Sequence, residues 1–467
     1  MRNDLAVIGA GPAGLAASLA ASARGVRVTL VDAGPEVGGQ FYRQPPAGLG
    51  ARRPRALHHQ WRTWRRLREG LDRHIAAGRI AHLTDHHVWC VERESAPTPG
   101  GFAVHALLGP EQEEPVVVRA TAVLLATGGY ERVLPFPGWT LPGVVTAGGA
   151  QAMFKGGLVV PGHRVVVAGT GPLLLPVATG LAAAGTTVAA LVESADPRFL
   201  ARQARALAAE PGKAVEAAGY GVRLLRHRVR FLVRHTVVEA HGSERLAAVT
   251  VAALDADGRV RPGTGRRIPC DSLAVGHGML PHTDLAETLG CRVDGGRVHV
   301  DDEQRTDVPG VWAAGEATGV GGAGLALAEG HLAGRSIAAR LTGVPPDARG
   351  GERAAASRAA LRRFAAALDH AYTPRAHWAE QVTDDTVVCR CEEVRAGAVR
   401  EAVRDLGAGD ARTVKLLTRA GMGWCQGRMC GPAVAGLAGC PEAVARRPFA
   451  RPVPLGVLAR EPGERLP

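Results

Sequence analysis

The chain begins with a short apolar run, followed by a glycine-rich turn and a segment of small residues. The run from Leu5 to Ile8 is apolar at every position, as in a strand buried in a parallel sheet. A helix of small residues is predicted from Pro12 to Ala23, and the segment VRVTLV then predicts a second strand. This order of strand, helix and strand predicts an α/β unit.

The same pattern returns in the middle of the chain and indicates an internal duplication. Residues 165–193 again predict a strand, a glycine turn, a helix and a strand. Between the two copies, strands are predicted in HHVWCVERE, GFAVHALL and PVVVRATAVLLATG. Short strands are also predicted between Arg223 and Ala274, with a turn at Asp257-Gly258.

The last third of the body predicts one more buried strand and two kinds of helix. Val311 to Ala314 form an apolar strand, and a glycine-rich segment then opens a helix. Residues 343–385 predict a linker with one helix, whose apolar positions recur at helical spacing and should dock on the body. Further on, VRAGAVREAVRDLGAG predicts an amphipathic helix.

The first glycine turn carries the clearest chemical signal. Gly9, Gly11 and Gly14 form G-x-G-x-x-G, in which the successive glycines allow a tight turn, approach of a pyrophosphate, and close helix packing. Asp32 ends the second strand, where a carboxylate accepts hydrogen bonds from an adenosine ribose. We predict a dinucleotide site here; the alternative is a glycine-rich turn without a ligand.

The second copy lacks the third glycine. Gly169 and Gly171 keep the first two positions, but Leu174 occupies the third, where its bulk should push the helix away. We therefore expect the second copy, which ends at Glu193, to act as scaffold. A working NAD(P) site is the alternative.

Several other residues could contact the same dinucleotide. Gln40 and Arg43 offer donors to phosphates or to a ring edge, and an A-T-G turn at Thr127 would return the chain toward the nucleotide, unless it simply ends a strand. Glu316 could accept from a ribityl hydroxyl beside a helix start. The candidate dinucleotide-binding residues are Gly9, Gly11, Pro12, Ala13, Gly14, Asp32, Gly39, Gln40, Arg43, Thr127, Gly128, Gly315 and Glu316.

Composition and charge narrow the class of protein. A chain of 467 residues with 46% hydrophobic residues predicts a globular protein of two to four domains. The formal net charge is +12, and the densest basic segment is Arg52–Arg79. We interpret this segment as a solvated helix face or as a docking surface for an acidic partner subunit or anionic substrate. Nucleic-acid binding is not expected, because the other signals indicate a cofactor-binding enzyme.

The distribution of apolar residues also bears on location. No run reaches 18 apolar residues, and the N-terminus enters a strand directly. We expect a cytoplasmic protein without a transmembrane segment, with peripheral attachment to the inner face of the membrane as an option.

Five of the eight cysteines are concentrated near the C-terminus, which favours a metal site over disulfides in a cytosolic chain. Cys389 and Cys391 form C-x-C, and Cys425 and Cys430 form C-x4-C after 33 intervening residues. Four such thiolates can bind a [2Fe-2S] cluster or a tetrahedral zinc ion. Zinc sites more often use C-x2-C, so we favour iron–sulfur and leave zinc or bare thiols as alternatives. Cys440 is not expected to be a ligand.

Taken together, these motifs resemble a known architecture. From Leu5 to Ala338, the motifs GAGPAG, ATG and AAGE stand in the order found in two-dinucleotide-binding-domain flavoproteins of the glutathione-reductase type. The tail resembles the bacterioferritin-associated-ferredoxin-like [2Fe-2S] module. The resemblance implies an α/β flavoprotein with an extended FAD, followed by a small helical [2Fe-2S] domain.

The combination is similar to the α (A) subunits of heteromeric amino-acid and opine dehydrogenases, such as octopine/nopaline oxidase, D-hydroxyproline dehydrogenase and hydrogen cyanide synthase. The strings that carry this resemblance are GGQFYRQ, ATGGYERVLPFPGW, TAGGAQ, GTGPLLLP and RAGMGWCQGRMC. It implies that a D-amino-acid-oxidase-like β subunit with its own FAD oxidises a C–N bond; a small ferredoxin-like γ subunit is an option. Electrons would pass through flavin and cluster to a quinone-type or other acceptor.

Three departures from such flavoproteins qualify the resemblance. The body has no C-x-x-C or C-x4-C of the kind that disulfide reductases carry near the flavin, Leu174 weakens the nicotinamide site, and Glu316 replaces the more common aspartate. An adenine nucleotide other than FAD at the first site, and FMN at an interface with a partner subunit, remain options. No catalytic base or nucleophile is assigned; supporting or surface roles are expected for His277, His282 and His331.

The predicted domains follow the motif order. They are a discontinuous FAD-binding domain (1–150 and 291–342), an NAD(P)-like domain (151–290), a helical linker (343–385), a [2Fe-2S] domain (386–440) and a tail (441–467). Two other functions stay open. One is a self-sufficient NAD(P)H-dependent FAD/[2Fe-2S] reductase, and the other is a non-enzymatic scaffold that binds a nucleotide and zinc.

Overall fold

A computed structural model describes residues 3–58, 60–94, 100–208, 210–345, 348–374, 376–441 and 447–459. Of the predicted tail, residues 442–446 and 460–467 lie outside this description. The strands, in chain order, are β1 Asn3–Ile8, β2 Val28–Val31, β3 Ile80–Leu83, β4 His86–Glu94, β5 Gly101–Leu108, β6 Glu114–Leu125, β7 Gly129–Glu131, β8 Val144–Thr146, β9 Arg164–Gly169, β10 Thr187–Glu193, β11 Phe231–Val233, β12 His235–Gly242, β13 Leu246–Ala253, β14 Arg266–Pro269, β15 Ser272–Gly276, β16 Met279–Pro281, β17 Val293–Asp294, β18 Arg297–Val298, β19 Val311–Ala313, β20 Val387–Cys389 and β21 Val394–Arg395.

The helices occupy the segments between these strands. They are α1 Pro12–Ser22, α2 Trp61–Ala76, α3 Ala147–Gly157, α4 Leu174–Ala183, α5 Pro197–Arg202, α6 Ala204–Ala208, α7 Pro211–Arg226, α8 Asp284–Thr288, α9 Gly322–Thr342, α10 Ala348–Ala371, α11 Ala396–Arg404, α12 Ala411–Thr418, α13 Gly431–Ala438 and α14 Leu455–Leu458.

The chain divides into two compact units. The first contains residues 1–130, 280–365 and 446–467, and the second contains residues 131–279 and 366–445. Because the first unit is assembled from three stretches of sequence, its core depends on pairings between distant segments.

The first unit is built on a seven-stranded sheet with the order β3-β2-β1-β6-β5-β4, in which β19 also pairs with β6. Strands β1, β2, β3, β6 and β19 run parallel, whereas β4 and β5 form an antiparallel extension. Strand β1 is central because its residues are apolar on both faces; Leu5 and Val7 belong to one core cluster and Ala6 to the other.

Helix α9 packs tightly along α1. A Cβ at Gly330 would overlap the carbonyl oxygen of Ala13, and one at Gly334 would overlap that of Ala17. The small-residue spacing of both helices therefore permits backbone contact. This contact places the end of β19 beside the first glycine turn.

The second unit contains a five-stranded parallel sheet, β11-β10-β9-β15-β8, and an antiparallel sheet, β12-β13-β14. It also contains the C-terminal cysteine segment, in which β20 and β21 form a short hairpin and α11, α12 and α13 share a small core. We call residues 387–438 the cluster module. Its core includes Val388, Val399 and Val414, each at most 2% exposed.

The predicted fold class is confirmed: two dinucleotide-binding folds are followed by a small helical module. Helices α3 and α7 were not predicted from the sequence. The segment that forms α3, AGGAQAMFKGG, has four glycines, and it becomes helical where Thr146 accepts from the N–H of Gly149 at its start. No helix in the described ranges is long and apolar enough to cross a bilayer.

Candidate functional site

The first glycine turn forms where strand β1 meets helix α1. Gly9 has φ +106°, and a Cβ there would overlap the carbonyl oxygen of Ala126 at the end of β6. A Cβ at Gly14 would overlap the carbonyl oxygen of Gly9. A side chain is therefore sterically excluded at both positions. Gly9 allows the tight turn, and Gly14 allows α1 to pack against β1.

The segment after β2 folds back onto this turn. Gly38 donates from its N–H to the carbonyl oxygen of Ala10, at 2.9 Å. A Cβ at Gly39 would lie 2.8 Å from the Cα of Gly11, so the two backbones touch. The structure thus brings Gly39 together with Gly11, two of the residues that the sequence placed at one site.

Helix α1 presents an uncapped N-terminus at this turn. Its N-cap is Gly11, which has no side chain to accept from the first N–H groups, and no acidic residue stands in the first turn. Pro12 and Ala13 begin the helix. Within the described residues the N–H of Gly11 has no hydrogen-bond partner. A helix start of this kind binds a phosphate through free N–H groups and the helix dipole.

Asp32 follows β2, and its carboxylate connects the first glycine turn to the segment after β2. Its Oδ2 accepts from the N–H of Ala10 at 2.5 Å, and its Oδ1 accepts from the N–H of Gly34 at 2.7 Å. Burial raises the pKa of this carboxyl, while the two backbone donors oppose that shift. A carboxylate can accept about four hydrogen bonds, so Asp32 keeps capacity for a ribose hydroxyl.

Gln40 and Arg43 lie together beside the turn. A guanidinium nitrogen of Arg43 donates to Oε1 of Gln40 at 2.8 Å, and the positive charge of Arg43 acts on Asp32. The Nε atom of Arg43 is buried without a hydrogen-bond partner in the described part of the chain. A buried donor without an acceptor is unfavourable, and an anionic ligand would satisfy it.

Thr127 and Gly128 have a structural role in this unit. The hydroxyl of Thr127 donates to the carbonyl oxygen of His282 at 2.7 Å, and the N–H of His282 donates to the carbonyl oxygen of Gly128 at 3.0 Å. These two bonds fix the exit from β6. These contacts agree with the interpretation of the A-T-G turn as the end of a strand, and a contact with the nucleotide stays a prediction.

Gly315 lies against the start of α1. It has φ +80°, and a Cβ there would lie 2.8 Å from the Cβ of Ala13. Glu316 follows in a 3-10 turn; burial raises the pKa of its carboxyl, which a backbone N–H from Gly322 partly offsets. The segment that contains Gly315 therefore contacts the first glycine turn, and the buried carboxyl of Glu316 lies next to it in the chain.

A residue that was not predicted from the sequence, Glu329, links α9 to the segment that contains Gly315. Glu329 in α9 is fully buried, and its Oε2 accepts from the N–H of Gly315 and from the hydroxyl of Thr318, both at 2.9 Å. Arg362 of α10 forms an ion pair with Glu329 at 2.6 Å and also donates to Thr318. In the sequence, Glu329 could have been recognised only as the single carboxylate within the apolar segment LALAEGHLAG. Helix α10, which lies within the predicted linker, contacts α9 through this ion pair.

Replacing Arg362 with methionine should strongly destabilise the first unit. The change keeps most of the apolar stem but leaves the buried charge of Glu329 without its counter-ion. Removing one partner of a buried pair costs about 3–5 kcal/mol, and partial exposure of Arg362 places our expectation near the lower limit. Arg363→Met, on an exposed position of the same helix, should change stability by less than about 0.5 kcal/mol. Denaturant unfolding measures both; equal effects would contradict the role of the pair.

The second glycine turn differs from the first in where its regular helix begins. Helix α4 begins at Leu174, whereas the equivalent start in the first copy is Pro12, two positions earlier. Leu174 is 2% exposed and packs into the core beneath the turn. The residues before it form a 3-10-type turn, in which the N–H of Leu174 donates to the carbonyl oxygen of Gly171 at 3.2 Å, and the regular α-helix follows.

The carboxylate after the second turn also has a different partner. Glu193 accepts from the N–H of Gly171 at 3.1 Å and from that of Ala195 at 2.8 Å. Within its own glycine turn, Asp32 of the first copy accepts from the N–H of Ala10, one position earlier than the Gly171 equivalent. The longer glutamate thus takes the N–H that corresponds to the unpartnered N–H of Gly11.

The titration of Glu193 should make the stability of the second unit depend on pH. Burial raises the pKa of its carboxyl from 4.5 to about 7. Between these values the folded state holds a proton that the unfolded state has lost, so the free energy of unfolding falls as pH rises. At 1.36 kcal/mol per pKa unit, the fall from pH 4 to pH 8 is at most about 3 kcal/mol.

Denaturant unfolding of Glu193→Gln at pH 4, 6 and 8 tests this dependence. His277 in the same unit, whose pKa is lowered to about 4, acts in the opposite direction, so the test compares variant with wild type. The wild-type free energy of unfolding minus that of Glu193→Gln should fall by at most about 3 kcal/mol from pH 4 to pH 8, whereas Glu401→Gln, on an exposed position of α11, should keep the wild-type slope. The same slope in the Glu193 variant would refute the assignment.

The four C-terminal cysteines lie in one chain of contacts. Their Sγ atoms are hydrogen-bonded in the order Cys391, Cys425, Cys430 and Cys389. The bond from Cys430 lowers the pKa of Cys425 to about 4, and the same bond together with burial raises the pKa of Cys430. Two of the thiols, on Cys389 and Cys430, are buried, and Cys391 is exposed.

Backbone N–H groups converge on these sulfur atoms. The N–H groups of Gly427 and Met429 donate to Sγ of Cys425, and the N–H of Cys425 donates to Sγ of Cys391. A Cβ at Gly423 would overlap the Cβ of Cys391. No group of three or more His, Cys, Asp or Glu side chains in the described ranges is arranged to hold a single metal ion. The thiols instead form successive pairs.

The other cysteines lie apart from this network. Burial raises the pKa of the Cys90 and Cys291 thiols to about 11 and that of Cys270 to about 12. Buried thiols of this kind are unreactive, because the thiolate is the reactive form. Cys440 is partly buried.

Comparison with known proteins places these features in a family. A model of the pyridine nucleotide-disulphide oxidoreductase family matches residues 3–335. The chain belongs to this family. A model of the bacterioferritin-associated-ferredoxin-like [2Fe-2S] binding domain matches residues 387–438. The family makes the chain an oxidoreductase; its two domains imply FAD in the body and a [2Fe-2S] cluster in the tail.

Its relatives confirm the resemblance to amino-acid and opine dehydrogenase subunits. Hydrogen cyanide synthase subunit HcnB of Pseudomonas aeruginosa is 36% identical, over 91% of this chain and 90% of the relative. The A subunit of opine oxidase from Rhizobium meliloti is 34% identical, over 98% of each chain. Among solved structures, L-proline dehydrogenase from P. horikoshii has a TM-score of 0.66 at 21% identity, over 98% of this chain and 80% of that one. At that identity the likeness shows the fold alone.

Proposed function

We propose that this chain is the electron-transfer subunit of a heteromeric FAD-dependent dehydrogenase acting on a C–N bond of an amino acid or opine. The observation that carries the proposal is the network of four thiols within the segment that matches a [2Fe-2S] binding domain. Relatives of nearly equal length are named as subunits of hydrogen cyanide synthase and opine oxidase. A partner subunit would bind the substrate, and this chain would carry its electrons onward.

The first glycine turn is the proposed FAD site. The free N–H of Gly11 and the N-terminus of α1 would hold the pyrophosphate, and Asp32 would accept from the ribose. The buried Nε of Arg43 supports an anionic ligand beside this turn. Gly39 allows that ligand close to the backbone. Bound FAD supplies a centre that accepts two electrons and releases them singly.

The proposed ligands of the [2Fe-2S] cluster are Cys389, Cys391, Cys425 and Cys430. Their pairwise contacts suit a cluster with two iron atoms, each of which takes two thiolates. The N–H groups directed at Cys425 and Cys391 stabilise negative charge on the sulfur atoms, so they would raise the reduction potential. The buried side of the module shields Cys389 and Cys430 from water.

The second glycine turn does not favour a nicotinamide cofactor. Its helix starts two positions late, and Glu193 takes the N–H of Gly171 that a pyrophosphate would need. Electrons would therefore reach this chain from a partner subunit, not from NAD(P)H. The proposed partner is a D-amino-acid-oxidase-like β subunit, and the proposed site of action is the cytoplasm.

Disulfide reduction is also disfavoured as the activity. The cysteines of the flavoprotein body are buried, with raised pKa values, and none forms a C-x-x-C pair. A thiol relay next to a flavin would need at least one accessible thiolate. The thiols suited to redox chemistry are those of the cluster module.

Anaerobic purification followed by stopped-flow reduction tests the proposal. The chain should contain FAD, iron and acid-labile sulfide, and reduction should give the paramagnetic signal of a [2Fe-2S]⁺ cluster. Millimolar NADH should not bleach the flavin within seconds. Zinc without iron would support the scaffold alternative, and rapid bleaching by NADH would support the self-sufficient reductase; either result would overturn this proposal.

A further inference from the structure

A cavity in the second unit lies between the segment that follows β7 and the cluster module. It is lined by residues between Arg132 and Thr146, by His277 after β15, and by Arg390 of the module. Its volume is about 50 Å³, whereas one water molecule needs roughly 10–15 Å³ on the same measure. The cavity therefore has room for a group of several heavy atoms.

The lining is cationic and contains no carboxylate. Arg132 and Arg390 contribute two guanidinium groups, and neither forms an ion pair with any described residue. The Nε atom of Arg132 is buried and has no hydrogen-bond partner there. The ring of His277 is half-buried, and its pKa is lowered to about 4 by burial and by Arg132, so it is neutral. The remaining lining is mostly apolar.

The carboxylate of Glu131, next to Arg132 in the sequence, does not neutralise this charge. Glu131 directs its two oxygens to the start of α3, where they accept from the N–H groups of Gly148 at 2.7 Å and Gly149 at 3.2 Å. Glu131 therefore caps the helix. The guanidinium groups of the cavity remain available to a ligand.

The cationic groups are held in position by the surrounding structure. The backbone N–H of Arg132 donates to the carbonyl oxygen of Gly278 at 2.9 Å. The guanidinium of Arg390 lies over the ring of Trp139, 5.5 Å from its centroid. The indole N–H of Trp139 donates to the carbonyl oxygen of Val387 at 2.6 Å, which ties this ring to the strand that carries Cys389.

We propose that this cavity is a binding site for an oxyanion, the phosphate or carboxylate group of a small ligand. Two unpaired guanidinium groups, one with a buried and unpartnered N–H, converge with a neutral imidazole in an apolar surrounding. Arginine binds both anions through charge-assisted, often bidentate hydrogen bonds. The apolar walls would strengthen the interaction at the buried Nε of Arg132 by excluding water.

The position of Arg390 links this site to the cluster. Arg390 stands between Cys389 and Cys391 in sequence. An anion on its guanidinium would offset positive charge near the cluster, so binding should shift the reduction potential to a more negative value. This consequence depends on the proposed function, whereas anion binding does not.

Isothermal titration calorimetry on the full-length, FAD-saturated chain tests the binding. Saturation with FAD keeps the first glycine turn occupied. Phosphate and acetate are titrated separately at constant ionic strength, with chloride as the reference. We expect phosphate, acetate or both to bind at one site, and Arg132→Gln and Arg390→Gln to weaken that binding about tenfold or more. Arg395→Gln, on an exposed arginine of the same module, should leave it unchanged.

Each outcome of the titration decides the matter. Binding of phosphate alone assigns a phosphate ligand, and binding of acetate alone assigns a carboxylate ligand. Either result supports the site. Absence of binding beyond chloride, or binding that both arginine variants retain, would overturn it. The Arg390 side chain is exposed, so its variant should fold even if Arg132→Gln does not. Iron analysis and the paramagnetic signal, measured on the same samples, report separately on the proposed function.

Discussion

Replacing Cys425 with serine should abolish the [2Fe-2S] centre. Cys425 lies in the middle of the thiol chain, where its Sγ contacts those of Cys391 and Cys430 and accepts two backbone N–H groups. Serine is a poor ligand for iron in such a cluster, because soft thiolate ligands are preferred. We expect the visible absorption and the reduced-state paramagnetic signal to fall below about one tenth of their wild-type values. Electron transfer from the partner's substrate to the final acceptor should fall with them.

Cys440→Ser is the matched control for this prediction. Cys440 lies just beyond α13, and it is not among the hydrogen-bond partners found for the thiols of Cys391, Cys425 and Cys430 in the described residues. The control should keep iron, sulfide and activity. If Cys425→Ser retained a full cluster signal, the ligand assignment would be wrong. If both variants lost it, the loss would reflect oxidative damage or misfolding.

Replacing Gly14 with alanine should remove FAD from the first unit and destabilise it. The added Cβ would overlap the carbonyl oxygen of Gly9, which is backbone and cannot move aside as a side chain could. Helix α1 would have to shift away from β1, and its N-terminus would leave the position suited to a pyrophosphate. Overpacking costs about 1–3 kcal/mol. We expect the FAD content of the purified chain to fall at least tenfold.

Gly180→Ala provides the control, since Gly180 is also a helical glycine but a Cβ there would meet no atom within 4 Å. It should be neutral, or stabilising by up to about 1 kcal/mol. Bound flavin is measured by absorption after denaturation of a known amount of protein. Normal FAD content in Gly14→Ala would contradict the assignment of the first turn. A loss in both variants would mean that helix composition, not close packing, is limiting.

The flavoprotein body shows where local sequence was sufficient. The apolar run before Gly9 and the segments HHVWCVERE, GFAVHALL and PVVVRATAVLLATG all form strands, because their side-chain pattern already fits a sheet. The missing third glycine predicted a difference between the two glycine turns, and the regular helix of the second copy begins at Leu174, two positions later than in the first. Helix α3 was missed because glycine lowers local helix propensity, and the capping contacts of Thr146 and Glu131 outweigh it.

By itself, the sequence determined the fold class, the duplicated glycine turns and the cysteine spacing, all of which depend on residues close together in the chain. Only the tertiary structure decided which distant residues meet. It paired Glu329 with Arg362, directed Glu193 to Gly171, joined the four thiols in order, and brought Arg390 to the cavity with Arg132. Spacing cannot predict such contacts, because they depend on how distant segments pack.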